Sequence, residues 1–385
     1  MKLAGLFSGI GGFECAFEAA GHESALLAEI DPLARSVLDA RFETATVCED
    51  VRQIDALPVS VDLVSAGFPC QDLSMAGSKS GMSGKKSGVV DELYRLISPT
   101  GIRTVLIENV YFMLHLDRGA AMASLVDSLE GLGFTWAYRV LDTAGFGLPQ
   151  RRRRVYLIAS RDFDPASVLL SSDEESHGTG PIEGDVPIGF YWTEGRSGTG
   201  FTRDAVPPIK AGSTLGIPSA PAVAFAGDRI ETPSVRAALR LQGFPSDWLD
   251  ERDQSIQERY LWRLVGNAVS VPVARWVVDR IDRASTPENL ALAPDVESVR
   301  LPKGHLWPNA AWGRKGRRFG ATLDEKPASV SWRSIEEFRD DTWHELSKRA
   351  LAGFSSRLEK GRLRSPPGFK DLLVRVASRY EEQAA

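Results

Sequence analysis

The fold class this sequence predicts is α/β: a doubly wound, mostly parallel sheet with a small irregular second lobe and a C-terminal extension. Three observations predict it. Residues 2 to 160 alternate short apolar runs with stretches of helical spacing, the rhythm of a parallel sheet flanked by helices. The first run ends in a glycine-rich turn that opens a helix, as first strands of such sheets do. At 385 residues the chain exceeds the usual single-core size, which favours one large domain or two unequal ones.

The predicted strands are Lys2 to Phe7, Ser24 to Glu29, Val61 to Ala66, Thr104 to Glu108, Trp136 to Leu141 and Arg154 to Ala159. Between them, Gly12 to Ala20, Pro32 to Arg41, Val90 to Ile97 and Ala120 to Leu132 supply the helices. The start faintly imitates a secretion signal, but Gly9, Gly11 and Gly12 interrupt it and Glu14 ends it, so it reads as a buried strand. From Asp162 to Asp185 the chain turns acidic and rich in Ser and Gly, which predicts a loop or linker. Gly189 to Pro221 is dense in Gly, Pro and aromatics and predicts irregular or short-stranded structure. Helical spacing returns at Ser234 to Leu241 and Val271 to Arg283. Pro287, Pro294, Pro302 and Pro308 then mark a segment leading into a basic tail.

Hydrophobic residues at 43% and charged residues at 25% are ordinary globular usage, which excludes fibrous and disordered classes. No run approaches the roughly 18 apolar residues of a membrane span, so the reading is a soluble protein with no membrane partner. Cys15, Cys48 and Cys70 are too few and too scattered for a disulfide framework or a paired-ligand zinc site, which favours a reducing cytoplasm and no metal. The net charge of −5 hides an uneven distribution: residues 298 to 385 carry +7 and residues 1 to 297 carry −12.

The turn Phe7-Ser8-Gly9-Ile10-Gly11-Gly12 lets the backbone bend tightly and approach a ligand. Such turns also occur as plain chain geometry. Here Glu29 ends the second strand 20 residues after Gly9, where an acidic side chain accepts hydrogen bonds from a ribose diol. The pair favours an adenosine-containing cofactor without separating a dinucleotide from S-adenosylmethionine. Gly67-Phe68-Pro69-Cys70-Gln71 follows another strand, at the carboxyl edge where open α/β sheets hold catalysts. Free cysteines are most often small buried hydrophobes, the reading for Cys15 and Cys48. Cys70 differs, because Pro69 precedes it and polar Gln71, Asp72 and Ser74 follow, which predicts an exposed tip.

Ser74 to Gly88 holds five Ser, four Gly and three Lys, the composition of a mobile loop that closes over substrate, with Lys79, Lys85 and Lys86 for phosphates. Glu108 in Glu108-Asn109-Val110 is a strand-end carboxylate able to bind or protonate a ring. Gln150-Arg151-Arg152-Arg153-Arg154 opens the last strand, and alternation sends Arg152 and Arg154 to one side. Arginine forks of this kind suit anionic or carbonyl-rich partners.

In chain order these residues resemble the DNA (cytosine-5) methyltransferase family, prokaryotic type. Phe7 to Gly12 is similar to the family's first motif, Glu29-Ile30-Asp31 to the second, Asp50-Val51 to the third and Pro69-Cys70-Gln71 to the fourth. Glu108-Asn109-Val110 is similar to the sixth, Gln150 to Arg154 to the eighth, Leu239 to Pro245 to the ninth and Gly266-Asn267-Ala268-Val269 to the tenth. The resemblance covers residues 1 to about 283. It implies a Rossmann-like methyltransferase divided as a catalytic and cofactor-binding domain (1 to 160), a small target recognition region (161 to 233), a return to the catalytic domain (234 to 285) and a basic extension (286 to 385).

By the same resemblance, Cys70 as thiolate attacks C6 of a flipped cytosine, and C5 then takes the methyl group of S-adenosylmethionine, leaving S-adenosylhomocysteine. Glu108 binds or protonates N3, while Arg152 and Arg154 hold the base carbonyl or the thiol loop. Phe7, Gly9, Gly11, Glu29, Ile30, Asp50, Val51, Pro69 and Asn267 surround the cofactor. Gln71, Ser74, Lys79, Lys85, Lys86 and Gln150 face DNA. The chain departs from the family where an Asp-x-Arg-Ser signature usually stands: it reads Gly84-Lys85-Lys86-Ser87, a point charge in place of a fork. Only about 80 residues separate the eighth and ninth motifs, a small space for a recognition domain.

That shortage suggests that residues 298 to 385, with Arg314 and Arg317 beside Trp307 and Trp312, assist DNA binding; the plainer reading is a packing appendage with a solvated basic face. The implied protein is a cytoplasmic monomer acting on double-stranded DNA, in restriction-modification or phage defence, with restriction or defence partners. Two further readings stay open: a tRNA cytosine-5 methyltransferase, and a catalytically degenerate DNA-binding regulator. A nicotinamide dehydrogenase would explain the glycine turn but leave every later motif idle.

Overall fold

The apolar runs of the amino-terminal half form the centre of a sheet. The computed structural model describes residues 1–69, 88–98, 101–173, 186–194, 198–212, 220–250, 256–284, 297–301, 304–314 and 316–382. Contacts group the chain into two units, one of Met1–Asp142, Arg153–Gly178 and Val269–Ser329, the other of Thr143–Arg152, Thr179–Ala268 and Val330–Ala385.

The first unit begins with β1 (Lys2–Leu6), β2 (Glu23–Ala28), β3 (Thr46–Cys48), β4 (Leu63–Ala66), β5 (Thr104–Val110), β6 (Thr135–Asp142) and β7 (Arg153–Ser160). The second unit adds β8 (Ile188–Phe190), β9 (Thr202–Arg203), β10 (Ala222–Phe225) and β11 (Arg229–Thr232). The first unit then gains β12 (Val299–Arg300), β13 (Ala310–Arg314) and β14 (Arg317–Ala321), and the second gains β15 (His344–Glu345).

In the first unit the order is β12-β14-β13-β6-β7-β5-β4-β1-β2-β3. The five strands β3-β2-β1-β4-β5 pair in parallel, and every pairing from β5 to β12 is antiparallel. All four residues of β4 and six of the seven in β5 are buried, the consequence of helices on both faces. The helices Gly12–Ala19, Pro32–Arg41, Val89–Ile97 and Ala120–Gly131 stand where helical spacing predicts them. Asp31 starts the second of these by accepting the Leu33 N–H at 2.9 Å, with Pro32 at the first helical position.

Two segments differ from their sequence reading. The predicted loop after Asp162 begins with a short helix, Pro165–Leu169, because Asp164 caps it and proline opens it. The C-terminal extension joins both cores. Ala310, Ala311 and Gly313 of β13 lie against Arg139, Tyr138 and Trp136 of β6, and Gly313 has no Cβ because one would stand 2.4 Å from the Trp136 indole nitrogen. Trp307 is buried with its ring centroid 6.0 Å from those of both Trp136 and Tyr138, and its Nε1 donates to the Gly119 carbonyl at 2.9 Å. It is core, not a free stacking surface. Arg318 forms ion pairs with Asp127 and Glu130.

The second unit holds a sheet ordered β15-β11-β10-β8-β9. Its apolar face packs on the helices Lys348–Gly361 and Phe369–Glu382, with Phe190 4.8 Å from Phe354 and 5.1 Å from Phe369 between ring centroids. Residues 186–232 could not bury that face by themselves. The extension supplies Leu346, Leu351, Phe354, Leu358, Phe369, Leu373 and Val376 to the core. Arg357, one of the tail's cations, donates to the carbonyls of Glu194 and Trp192 at 2.9 and 2.7 Å. No helix among the described residues is long and apolar enough to cross a membrane.

Replacing Trp307 with alanine removes a buried aromatic anchor and should cost about 3–5 kcal/mol of stability, the usual range for such truncations. Urea unfolding followed by circular dichroism checks this; a loss below about 1 kcal/mol would mean that β13 and β14 are not part of the first unit's core.

Candidate active site

Strand register sets the site. Leu6 pairs with both Ala28 and Ala66, and Ala66 pairs with Ile107. The next residue of each strand, Phe7, Glu29, Gly67 and Glu108, therefore emerges at one level on the carboxyl edge of the sheet, where α/β folds bind ligands. Strand β7 runs the other way, so its first residues reach the same edge, with Arg154 opposite Val110.

The turn after β1 holds Phe7, Gly9 and Gly11 at φ of 61°, 57° and 85°. Left-handed backbone costs a non-glycine residue about 1 kcal/mol, and Phe7 is held there by edge-to-face contact with Phe68 at 6.2 Å between centroids. At Gly11 a Cβ would lie 2.4 Å from the Phe42 ring, and at Gly12 one would lie 2.9 Å from Val269. Over Gly9 a Cβ would meet nothing within 4 Å, so the turn has open space above it. The Glu29 carboxylate accepts the Gly9 and Asp31 N–H groups, both at 2.8 Å, and burial raises its pKa above the ordinary carboxylate value. Beside it Ile30 is 64% exposed, an apolar side chain facing solvent at the rim.

Asp50 caps the turn Val51–Gln53 by accepting the Arg52 N–H at 3.0 Å, and the Arg52 guanidinium holds its carboxyl below the usual range. Val51 is buried in the core with its side chain among apolar neighbours, so a cofactor can meet only its backbone edge. Asn267 is the exposed last residue of the helix Glu258–Asn267, in the second unit. An open glycine turn, a strand-end carboxylate and an exposed apolar rim are residues that could hold an adenosine-containing cofactor.

At the far side of the row, Arg154 Nε lies 3.2 Å from Glu108 Oε1 in an ion pair whose side chains are 15% and 10% exposed. Asn109 does what its motif position alone did not reveal. Its Nδ2 donates to the Phe68 carbonyl at 2.9 Å, and its Oδ1 accepts the Val110 N–H at 2.9 Å. The amide thus ties the exit of β4, immediately before Pro69, to the end of β5. An amide beside a strand-end carboxylate is the signal that marks it in the sequence. Cys70, Gln71, Ser74, Lys79, Lys85 and Lys86 lie outside the described residues. The other thiols, Cys15 and Cys48, are half-buried, and burial pushes Cys15 up to about 11, which leaves it protonated and unreactive at neutral pH.

Three expectations change. Strand β7 starts at Arg153, so alternation along Gln150 to Arg154 does not apply. Gln150 is fully buried: Nε2 donates to the Leu241 carbonyl at 2.8 Å and to Gln242 Oε1 at 3.1 Å, and Oε1 accepts the Ile209 N–H at 3.1 Å. It has no surface for DNA. Arg152, 2% exposed, donates to the carbonyls of Ile209, Gly266 and Ala268 at 3.1, 3.3 and 2.8 Å. Its fork ties segments of the second unit together at those three carbonyls; the thiol loop that it was also expected to hold lies outside the described residues.

Arg314 and Arg317 occupy the β13–β14 turn. Gly313 is level with Val105 through Trp136 and Ala159. Arg314 thus sits about 13 Å toward the amino edge from Glu108 and about 14 Å across three strand spacings. Its guanidinium is 3.4 Å from Asp164. This placement keeps Arg314 away from the Glu108–Arg154 pair.

Residues 1–179 match the family model of the C-5 cytosine-specific DNA methylase. The type II methyltransferase M2.BsuMI of Bacillus subtilis (strain 168) is 44% identical over 372 residues, covering 93% of this chain and 93% of that protein. The type II methyltransferase M.HaeII of Haemophilus aegyptius is 29% identical over 299 residues, 71% of this chain and 90% of its own length. Among solved structures, a Spodoptera frugiperda DNMT2 variant has a TM-score of 0.53 at 17% identity, covering 73% of this chain and 99% of its own, a likeness of fold. The chain is an S-adenosylmethionine-dependent methyltransferase and belongs to the C-5 cytosine-specific DNA methylase family.

Proposed function

We propose that this methyltransferase modifies one cytosine within a specific duplex sequence, flipped from the helix, through a covalent bond between Cys70 and C6. The observation that carries the reading is the buried Glu108–Arg154 pair standing level with the strand exit that Asn109 anchors, two residues before Cys70. Cytosine C5 is a weak nucleophile. Attack of the Cys70 thiolate on C6 pushes an electron pair toward C5, and a proton or hydrogen bond from Glu108 at N3 takes up the charge that develops on the ring. Arg154 steadies Glu108 and offers its remaining donors to the base carbonyl. S-adenosylmethionine supplies the electrophilic methyl group. Loss of the C5 proton to solvent then returns its electron pair to the ring, the C6–S bond breaks and Cys70 leaves as thiolate.

The cysteine must approach the ring face, so the base has to leave the stack at a cost of a few kcal/mol. For the cofactor, Glu29 takes the ribose, Ile30 and the Asp50–Val51 backbone the adenine, and Phe7, Gly9, Gly11 and Pro69 the methionine end. The type II relatives support a place in restriction-modification, in the cytoplasm, with the chain acting as a monomer and a restriction or defence component as companion. The second unit, completed by the extension, is the part that reads the target sequence.

Bisulfite sequencing of plasmid from a methylation-free bacterial host expressing the chain should reveal one methylated sequence context. Duplex containing 5-fluorocytosine in that context should trap an adduct at Cys70, and Cys70→Ser should form none; an unmodified plasmid, or turnover by the serine variant, would defeat the reading. The two arginines should separate. Arg154→Lys, which keeps a cation beside Glu108 but removes the fork, should lower kcat by roughly 100-fold or more while unfolding close to the wild type, as loss of a donor that acts on the reacting base does. Arg152→Ala leaves three buried carbonyls unpaired and should cost about 2–5 kcal/mol of stability, measured by urea unfolding. Equal losses of stability for both would contradict the division of roles.

A further inference from the structure

Glu14 lies in the first turn of the helix that follows the cofactor turn, and it is completely buried. Its carboxylate rests against β1 and the turn: a Cβ on Gly5 would lie 2.0 Å from Glu14 Oε1 and 2.5 Å from Ser8 Oγ. Gly5 is therefore glycine to admit this carboxyl. Among the described residues neither oxygen makes a hydrogen bond of normal geometry, and the relief comes from its own backbone N–H and the Ser8 hydroxyl. Burial lifts its pKa to about 7, and the negative charges of Glu18 on the same helix and Glu29 at the end of β2 add to the rise. The helix Val271–Ala284 packed on this one brings no relief. Arg275 goes to Asp279 and the Ala19 carbonyl, and Asp282 goes to His22. A carboxyl so poorly compensated is a costly thing to keep beneath a binding turn unless its charge is used.

We propose that Glu14 is a positioning residue for the cofactor, one whose carboxylate favours the cationic sulfonium of S-adenosylmethionine over the neutral thioether of the product S-adenosylhomocysteine. The inference rests on the assignment of the Phe7–Gly11 turn to the cofactor. At neutral pH the free protein holds Glu14 partly protonated. A cation bound above the turn stabilises the ionised form, so capture of S-adenosylmethionine releases the proton to solvent, whereas the uncharged product gives no such drive. The same charge, unfavourable with nothing above it, helps the spent cofactor leave.

The sign follows from linkage. Because the carboxyl titrates above its ordinary value, affinity for S-adenosylmethionine rises as pH climbs through 7, while affinity for S-adenosylhomocysteine does not share that rise. Isothermal titration of the full chain at pH 7, in buffers of different ionisation enthalpy, should show about half a proton more released on binding S-adenosylmethionine than on binding S-adenosylhomocysteine. Glu14→Gln should lower the preference for S-adenosylmethionine over S-adenosylhomocysteine at pH 8 by roughly fivefold, the low end of ordinary coupling between sites, and flatten its pH dependence. Equal proton release for the two ligands in the wild type would overturn the proposal without needing any variant, as would an unchanged preference in a folded Glu14→Gln protein. Failure of the wild type to bind either ligand would instead overturn the assignment of the turn, and this inference with it.

Discussion

The pairing of Leu6 with Ala28 on one side and Ala66 on the other, continued by Ala66 with Ile107, is the constraint on which the site depends. Four parallel strands end together, so the Phe7–Gly11 turn, the Glu29 carboxylate, the exit of β4 toward Cys70 and the Glu108 carboxylate appear in one row. Parallel strands repeat every two residues in facing. A slip of one would send Glu108 toward the opposite face and leave Arg154 without its partner. Burial on both faces resists that slip, because every residue of β4 would have to exchange neighbours within a packed core.

Much of this architecture was legible because its signals are local. Apolar runs of five or six residues and glycine turns fix the parallel half, and the six predicted strands and four predicted helices of residues 1 to 160 are all present. Strand β3 escaped notice because it has three residues at the edge of the sheet and buries none of them fully. Strands β12 to β14 escaped because β13 joins the sheet through distant residues, such as Ala310 with Arg139, and no periodicity announces a partner so far along the chain.

The candidate site was legible as a set of motifs, but motifs do not separate chemistry from support. Glu108 and Arg154 meet each other at the working edge. Gln150 and Arg152, in the same run of five, are absorbed by backbone carbonyls and by Gln242. The motif suggested a DNA contact for Gln150 and a hold on the base carbonyl or the thiol loop for Arg152; both are buried and tie chain segments together. Asn109 went the other way, from a bystander beside Glu108 to the clasp on the Phe68 carbonyl. Whether a polar side chain meets solvent, substrate or a neighbouring carbonyl is decided by packing, which a linear pattern does not encode.

Neither unit is a continuous stretch of chain: the second is made of Thr143–Arg152, Thr179–Ala268 and Val330–Ala385, and the first of the pieces between and before them. Swapping residues 179–268 for those of a relative would therefore deliver a sheet stripped of the two helices that cover it. A chimera that exchanges the second unit must carry the carboxyl-terminal fifty-six residues along with the loop-rich middle, because the two share one core.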